Sequence, residues 1–320
     1  VILLLINQFD TSEKPILEKT ELTASLLNSK KMAVLPFLNT KPDSNNDYLG
    51  FALADQIIGG LVYVNSINIR PASSIRKYEN ITVNPSAIGK ELDVEYLLHG
   101  NFLMEGDDIR LNIELINTNS NSIIFREPLR LNFQSVFELQ DIVSKKIIEK
   151  LKVHFAPIEQ NRIKKNIPGN TLAYEYYLRA ISYPRETKNN ELAIDMLQKS
   201  IELDSTYAPA YSSLGLRTHS ISNYGLKGQE ETEKAKNYFL KALSLNDELL
   251  SAYNGLATIY TETGKTKKSV ETIKNVLEIN PNDSYAHRSL GYIYRYTGML
   301  SESIDRMKKA KLLNKNISTT

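Results

Sequence analysis

The chain has 320 residues, 42% of them hydrophobic and 24% charged, enough apolar material for about two domains with real cores and too little charge imbalance for disorder. Its 39 basic and 37 acidic residues give a net charge of +2, far from the concentrated positive charge that binding a nucleic-acid backbone demands, so no nucleic-acid partner is expected. The absence of cysteine excludes disulfides and thiolate metal sites, and the four histidines show no metal-binding spacing; no metal or cofactor is expected.

Residues 1–30 read as a linker. They open on six apolar residues, Val1 to Ile6, and continue as a polar stretch with a short helix suggested near 17–27. A membrane span needs about 20 apolar residues, so the six are at most the trimmed end of one. From residue 31 the texture changes. Residues 32–37 (MAVLPF) form a short apolar run typical of a buried strand, followed by a turn-rich stretch in which Asp47 can cap the next helix. In residues 48–64, Phe51, Ala54, Ile57, Ile58 and Leu61 recur at helical spacing. Residues 67–70 give a second strand, and Asn84 followed by Pro85 marks the start of a helix running to about Leu92. Three strands follow, over 96–104, 109–115 and 123–131, joined by turn chemistry that predicts an antiparallel meander. A helix over 136–151 closes the set. The order β-α-β-α-β-β-β-α predicts an α/β domain with one mixed sheet over residues 31–152, followed by a linker over 153–170.

From residue 171 strand texture disappears and a repeat takes over. Tyr253, Leu256, Ala257, Tyr260, Gly264, Ser269, Ile273 and Val276 are matched 34 residues later by His287, Leu290, Gly291, Tyr294, Gly298, Ser303, Met307 and Ala310. A period of 34 with this pattern is the tetratricopeptide signature. Small residues at Ala257, Gly291, Ser269 and Ser303 let paired helices approach, Gly264 and Gly298 end first helices, and Pro281 can open the next repeat. Two looser copies precede these. One carries Tyr211, Leu214, Gly215, Ala235, Phe239 and Ala242 with eight extra residues in its turn; the other carries Tyr176, Ala180, Ala193, Leu197 and Ser200 with one extra. The expectation is four repeats over 171–315, stacked as an all-α superhelix, and a tail over 316–320.

The segments MAVLPF, NNDYLGFALADQIIGGL, SAIGKELDVEYLLHGNF, DIRLNIELINTNSNSIIF and VFELQDIVSKKI together resemble the TolB amino-terminal-like domain, and the C-terminal half resembles tetratricopeptide repeat proteins. The pair implies a region found after the membrane helix of bacterial signalling proteins, with a kinase, cyclase or DNA-binding domain upstream. On that resemblance the chain is a noncatalytic sensing or scaffolding region, extracytoplasmic and tethered to the membrane only through an upstream helix. The alternative is a soluble assembly or chaperone adaptor in the cytoplasm.

No catalytic residue is expected, since kinase motifs are missing and Gly264-Lys265-Thr266 lacks the earlier glycine of a phosphate-binding loop, Ile259 standing in its place. The expected site is the concave face of the repeats, binding a protein or peptide. Carried over from the repeat family position by position, it comprises Tyr174 and Tyr177, Ser212 and Leu216, Asn254, Thr258 and Thr261, then Tyr285, Arg288, Tyr292, Arg295 and Tyr296. Arg288 and Arg295, seven residues apart, share one helical face with tyrosines beside them. Arginine forks grip carboxylates in two hydrogen bonds, so an acidic or C-terminal peptide fits; the competing reading is a solvated polar end cap.

Overall fold

The computed structural model describes residues 29–317 apart from 82, 134, 135, 137, 186 and 225–227. The apolar start Val1 to Ile6, the rest of the expected linker up to residue 28, and the last three residues of the tail lie outside the described residues.

The first unit is the expected α/β domain. Strand β1 (Lys30–Val34) is flanked in parallel by β3 (Ile67–Ile69) and β4 (Tyr96–Glu105), and the two-residue β2 (Leu38–Asn39) also pairs with β4. Crossovers through α1 (Leu49–Leu61) and α3 (Pro85–Leu92) make those pairings parallel. Strands β4, β5 (Asp108–Asn117) and β6 (Ser122–Asn132) then form the expected meander, giving the order β3-β1-β4-β5-β6. Its turns use left-handed residues, Gly106 at φ +63° and Asn121 at φ +54°. Asn84 caps α3 by accepting from the Ala87 amide at 3.2 Å, with Pro85 in the first helical position. Asp47 does something other than cap α1: its carboxylate accepts from Asn39 Nδ2 and the Asp43 amide, stapling the preceding turn. A short helix α2 (Ala72–Ile75) precedes a 3₁₀ turn over Arg76–Tyr78, and α4 (Glu138–Leu151) packs on α1.

The expected linker over 153–170 is partly helical. Helix α5 (Pro157–Lys164) buries Glu159, Arg162 and Ile163, and Glu159 accepts from the Asn65 and Ala156 amides. Four helical hairpins follow: α6 (Thr171–Ser182) with α7 (Thr187–Leu203), α8 (Ala208–Tyr224) with α9 (Gly228–Leu245), α10 (Leu250–Glu262) with α11 (Thr266–Ile279), and α12 (Ser284–Tyr296) with α13 (Leu300–Leu313). Gly264 and Gly298 end α10 and α12 in the left-handed region, at φ +70° and +82°. Ser269 and Ser303 hydroxyls reach across each hairpin to the Ala257 and Gly291 carbonyls. Phe239 fills the space between Gly215 of its own repeat and Gly255 of the next, where a Cβ would stand 2.2 Å from the ring.

Each repeat ends in a buried Asp or Asn whose side chain accepts from the amide two residues on: Asp204, Asn246, Asn280 and Asn314, at 2.9 to 3.1 Å. These turns form one edge of the array, and the α/β domain lies along that edge. Glu248, Asn282 and Asn316, spaced by 34, each meet it in turn. The Tyr63 hydroxyl donates to the Glu248 carbonyl at 3.3 Å, Asn282 donates to the Asn65 carbonyl at 2.8 Å, and Asn316 donates to the Glu91 carbonyl at 2.6 Å. Helix α5 reinforces the middle, with Arg162 paired to Glu248 at 2.8 Å. At the far end Asn68 and Arg70 both donate to the Leu313 carbonyl at 2.8 Å. Arg70 is 2% exposed and also serves the Leu92 and Asp93 carbonyls.

Because truncating Arg70 orphans the Leu92 and Asp93 carbonyls and leaves the Leu313 carbonyl to Asn68 alone, Arg70→Ala should destabilise the chain by about 3 kcal/mol. Urea unfolding measures the loss. Native-state hydrogen exchange should show α13 losing more protection than α10.

Candidate functional site

The expected groove divides into a closed half and an open half. In the first repeat, α1 of the α/β domain packs on α6 and covers it. Tyr174 and Tyr177, predicted to face a ligand, are 3% and 7% exposed, and the Tyr174 hydroxyl donates to Gln56 on α1 at 3.2 Å. Their rings stack with centroids 6.1 Å apart, and Tyr207 meets both edge-on. These tyrosines are therefore core between the two units, and burial pushes the hydroxyls of Tyr174 and Tyr207 far above the ordinary phenol range.

Asp55 on α1 sits beside this cluster. Burial pushes its carboxyl up to about 6, against the opposing pull of Arg185 and Arg76. Arg76 lies 3.5 Å over the Phe51 ring, and with Arg217 it serves five consecutive carbonyls at the end of α6. Arg76 takes Ile181 and Ser182; Arg217 takes Ala180, Tyr183 and Pro184. Such carbonyls lack helical partners and carry the negative end of the helix dipole. Arg217 is pushed down to about 10 by burial and by the charges of Arg185 and Arg76.

The next predicted positions join repeats to one another. Ser212 is buried, with its hydroxyl 2.8 Å from that of Ser251 in the following repeat, and Leu216 packs half-buried on the cluster around Phe239. Asn254 donates to the carboxylate of Asp283, which caps α12 through the Ala286 amide at 2.8 Å. None of Tyr174, Tyr177 or Ser212 lines an open groove.

Beyond Asn254 the face is open. Thr258 and Thr261 are exposed, their hydroxyls donating to the Asn254 and Ala257 carbonyls. On α12, Tyr285 is 38% exposed, Arg288 and Tyr292 are half-buried, Arg295 is exposed and Tyr296 is 84% exposed. The Arg288 guanidinium lies between two rings of its own helix, 5.3 Å from Tyr285 and 5.8 Å from Tyr292. Its Nε is buried and has no hydrogen-bond partner among the described residues. Two tyrosine faces thus hold a cation in place with donor capacity unspent.

Comparison with known proteins fits this division into two units. Residues 28–146 match the HilA/YgeH-like transcriptional regulator second domain, and residues 250–283 match the tetratricopeptide repeat. The C-terminal region is a tetratricopeptide array. Putative adenylate cyclase 3 of Rhizobium meliloti (strain 1021) is 27% identical over 188 residues, 58% of this chain and 32% of that protein; the chain spans about a third of that relative's length. Among solved structures, MamA is 23% identical with a TM-score of 0.38, covering 56% of this chain and 90% of its own. TTC0263, a thermophilic TPR protein of Thermus thermophilus, is 15% identical with a TM-score of 0.41, covering 56% and 88%.

The Asp55 environment makes a pH prediction. Its folded value of about 6 lies above the ordinary 3.8, so the folded protein keeps a proton that the unfolded chain releases between those values. The stabilisation is complete below about pH 4 and is lost as pH rises through about 6. That displacement corresponds to about 3 kcal/mol. Wild type should lose that much relative to Asp55→Asn between pH 4 and pH 7 in urea unfolding followed by tyrosine fluorescence.

Proposed function

We propose that this chain is a noncatalytic sensing or scaffolding region of a bacterial signalling protein, and that the open half of its repeat groove binds a protein or peptide through a carboxylate. The observation that carries this reading is Arg288, fixed between Tyr285 and Tyr292 with an unpaired buried Nε, on one helical face with the exposed Arg295. Arginine donors held beside aromatic surface are suited to a planar carboxylate, and tyrosines give contact area at small entropic cost. A solvated end cap has no use for a cation kept short of a hydrogen bond.

The signalling role is supported by the likeness to a protein named as a putative adenylate cyclase, only a third of which this chain spans, and by a first domain similar to part of transcriptional regulators. The TolB-like resemblance of that domain supports an extracytoplasmic, membrane-tethered placement, with the tether upstream. Among the described residues no helix is long and apolar enough to cross a membrane.

Arg288→Ala with Arg295→Ala should weaken binding of peptides with free acidic C-termini about tenfold or more, leaving the far-ultraviolet circular dichroism unchanged. A peptide-display selection on the wild-type chain supplies the ligands. The reading falls if selected peptides bind the double variant equally well, or if amidating their C-termini and neutralising their acidic residues has no effect.

A further inference from the structure

The four repeats carry one recurring pair of positions, an aromatic on the first helix facing a polar residue on the second. In the first repeat Lys199 lies 5.6 Å over the Tyr176 ring, and in the second Lys241 lies 5.9 Å over Tyr211. In the third, Tyr253 is hydrogen-bonded to Asn275. Every one of these pairs is satisfied, the lysines by an aromatic face and exposure to water, the asparagine by a hydroxyl.

The fourth repeat breaks the pattern. His287 stands where the others have tyrosine, Lys309 occupies the lysine position, and Arg306 replaces Thr272, a residue whose hydroxyl simply bonds back to the Lys268 carbonyl. His287 is 1% exposed and its Nε2–H donates to the Pro281 carbonyl at 3.0 Å. Its Nδ1 is therefore an acceptor, and it faces Arg306 Nη1 at 3.4 Å. A neutral imidazole offers Lys309 a poorer cation-binding face than the phenol rings beneath Lys199 and Lys241. Lys309 is half-buried, and the charge acting on it is the like charge of Arg306. Burial and that neighbour push the ammonium down to about 8, and burial with Lys309 pushes His287 to about 3. No carboxylate is among the charges acting on Lys309. A partly desolvated ammonium without a counter-charge is costly, and the preceding repeat shows that the hairpin folds with Asn275 in its place.

We propose that Arg306 and Lys309 form a binding site for a phosphate group, with His287 holding the guanidinium in place. The guanidinium keeps donors beyond the one turned to His287, and the ammonium has three, so two oxygens of one dianion can be shared between them. Leu313, one helical turn beyond Lys309, supplies the carbonyl that Asn68 and Arg70 grip. The site therefore lies on the helix whose C-terminal end fastens the last repeat to the α/β domain. This site is on the hairpin seam rather than in the groove, and it does not depend on the groove binding a peptide.

The test titrates the full chain with inorganic phosphate, following the His287 imidazole nitrogens by NMR and the melting temperature by calorimetry. Wild type should show a saturable shift of the His287 resonances and a melting temperature that rises with phosphate, as binding to the folded state requires. Arg306→Thr with Lys309→Asn gives the fourth repeat the pair that the third already carries. That variant should melt at or above the wild-type temperature without phosphate, and should lose both responses. Arg288→Ala with Arg295→Ala should keep both. Should the first variant fail to fold, Lys309→Asn alone carries the comparison. An unsaturable response in wild type, or equal responses in wild type and the Lys309 variant, overturns the site. A response abolished only by the Arg288 and Arg295 changes assigns phosphate to the groove and overturns it as well.

Discussion

A repeat array buries each hairpin only against its neighbours, so its turns normally face water along a free edge. Here that edge is taken by the α/β domain, and the fit depends on a coincidence of periods. Positions 248, 282 and 316 recur every 34 residues, and the domain presents Tyr63, Asn65 and Glu91 to them, with Asn68 and Arg70 closing the far end. Arg70 is the strictest element. A guanidinium withdrawn from water must find acceptors for its donors, and the carbonyls of Leu92, Asp93 and Leu313 belong to both units. The position of the last repeat relative to the sheet is set by this contact.

The same arrangement decides where a ligand has room. The domain lies against the first repeat through α1 and against later repeats only at their turns, so the concave face is consumed at one end and left open at the other. The first repeat offers tyrosines that are spent on packing; the last offers tyrosines that flank an arginine. Between them, Ser212 with Ser251 and Asn254 with Asp283 hold successive first helices together. Exposed side-chain surface at the predicted groove positions thus increases along the array from its N-terminal to its C-terminal end.

Much of the fold was legible in the sequence because the physics behind it is local. Alternation over 109–115 marks a half-buried strand, Asn84 with Pro85 marks a helix start, and a period of 34 is written twice in nearly the same letters. Helix α5 escaped because eight residues with little apolar periodicity do not announce a helix; Glu159, three residues into it, was the available signal, since it caps the helix start. The repeat-ending Asn246, Asn280 and Asn314 follow the same period, Asp204 precedes them by that period plus the eight inserted residues, and all four could have been read from it. The fate of the groove could not. Tyr174 and Tyr177 occupy positions that face outward in an isolated repeat, and only the long-range packing of α1, over a hundred residues earlier, turns them into core. Arg288 was singled out for its residue type and spacing, while the unpaired state of its Nε is a property of three dimensions.

The cluster of arginines at the end of α6 bears on how the chain is made. Arrays of this kind can begin folding at any repeat, since all interfaces are of one sort. In this chain the α/β domain leaves the ribosome before the repeats do, and it carries both α1 and Arg76. The first hairpin then emerges onto a finished surface that already offers a seat for its tyrosines and donors for the carbonyls of Ile181 and Ser182. Growth of the superhelix acquires a starting point and a direction, each new hairpin meeting a completed neighbour on one side and the next ledge of the domain on the other.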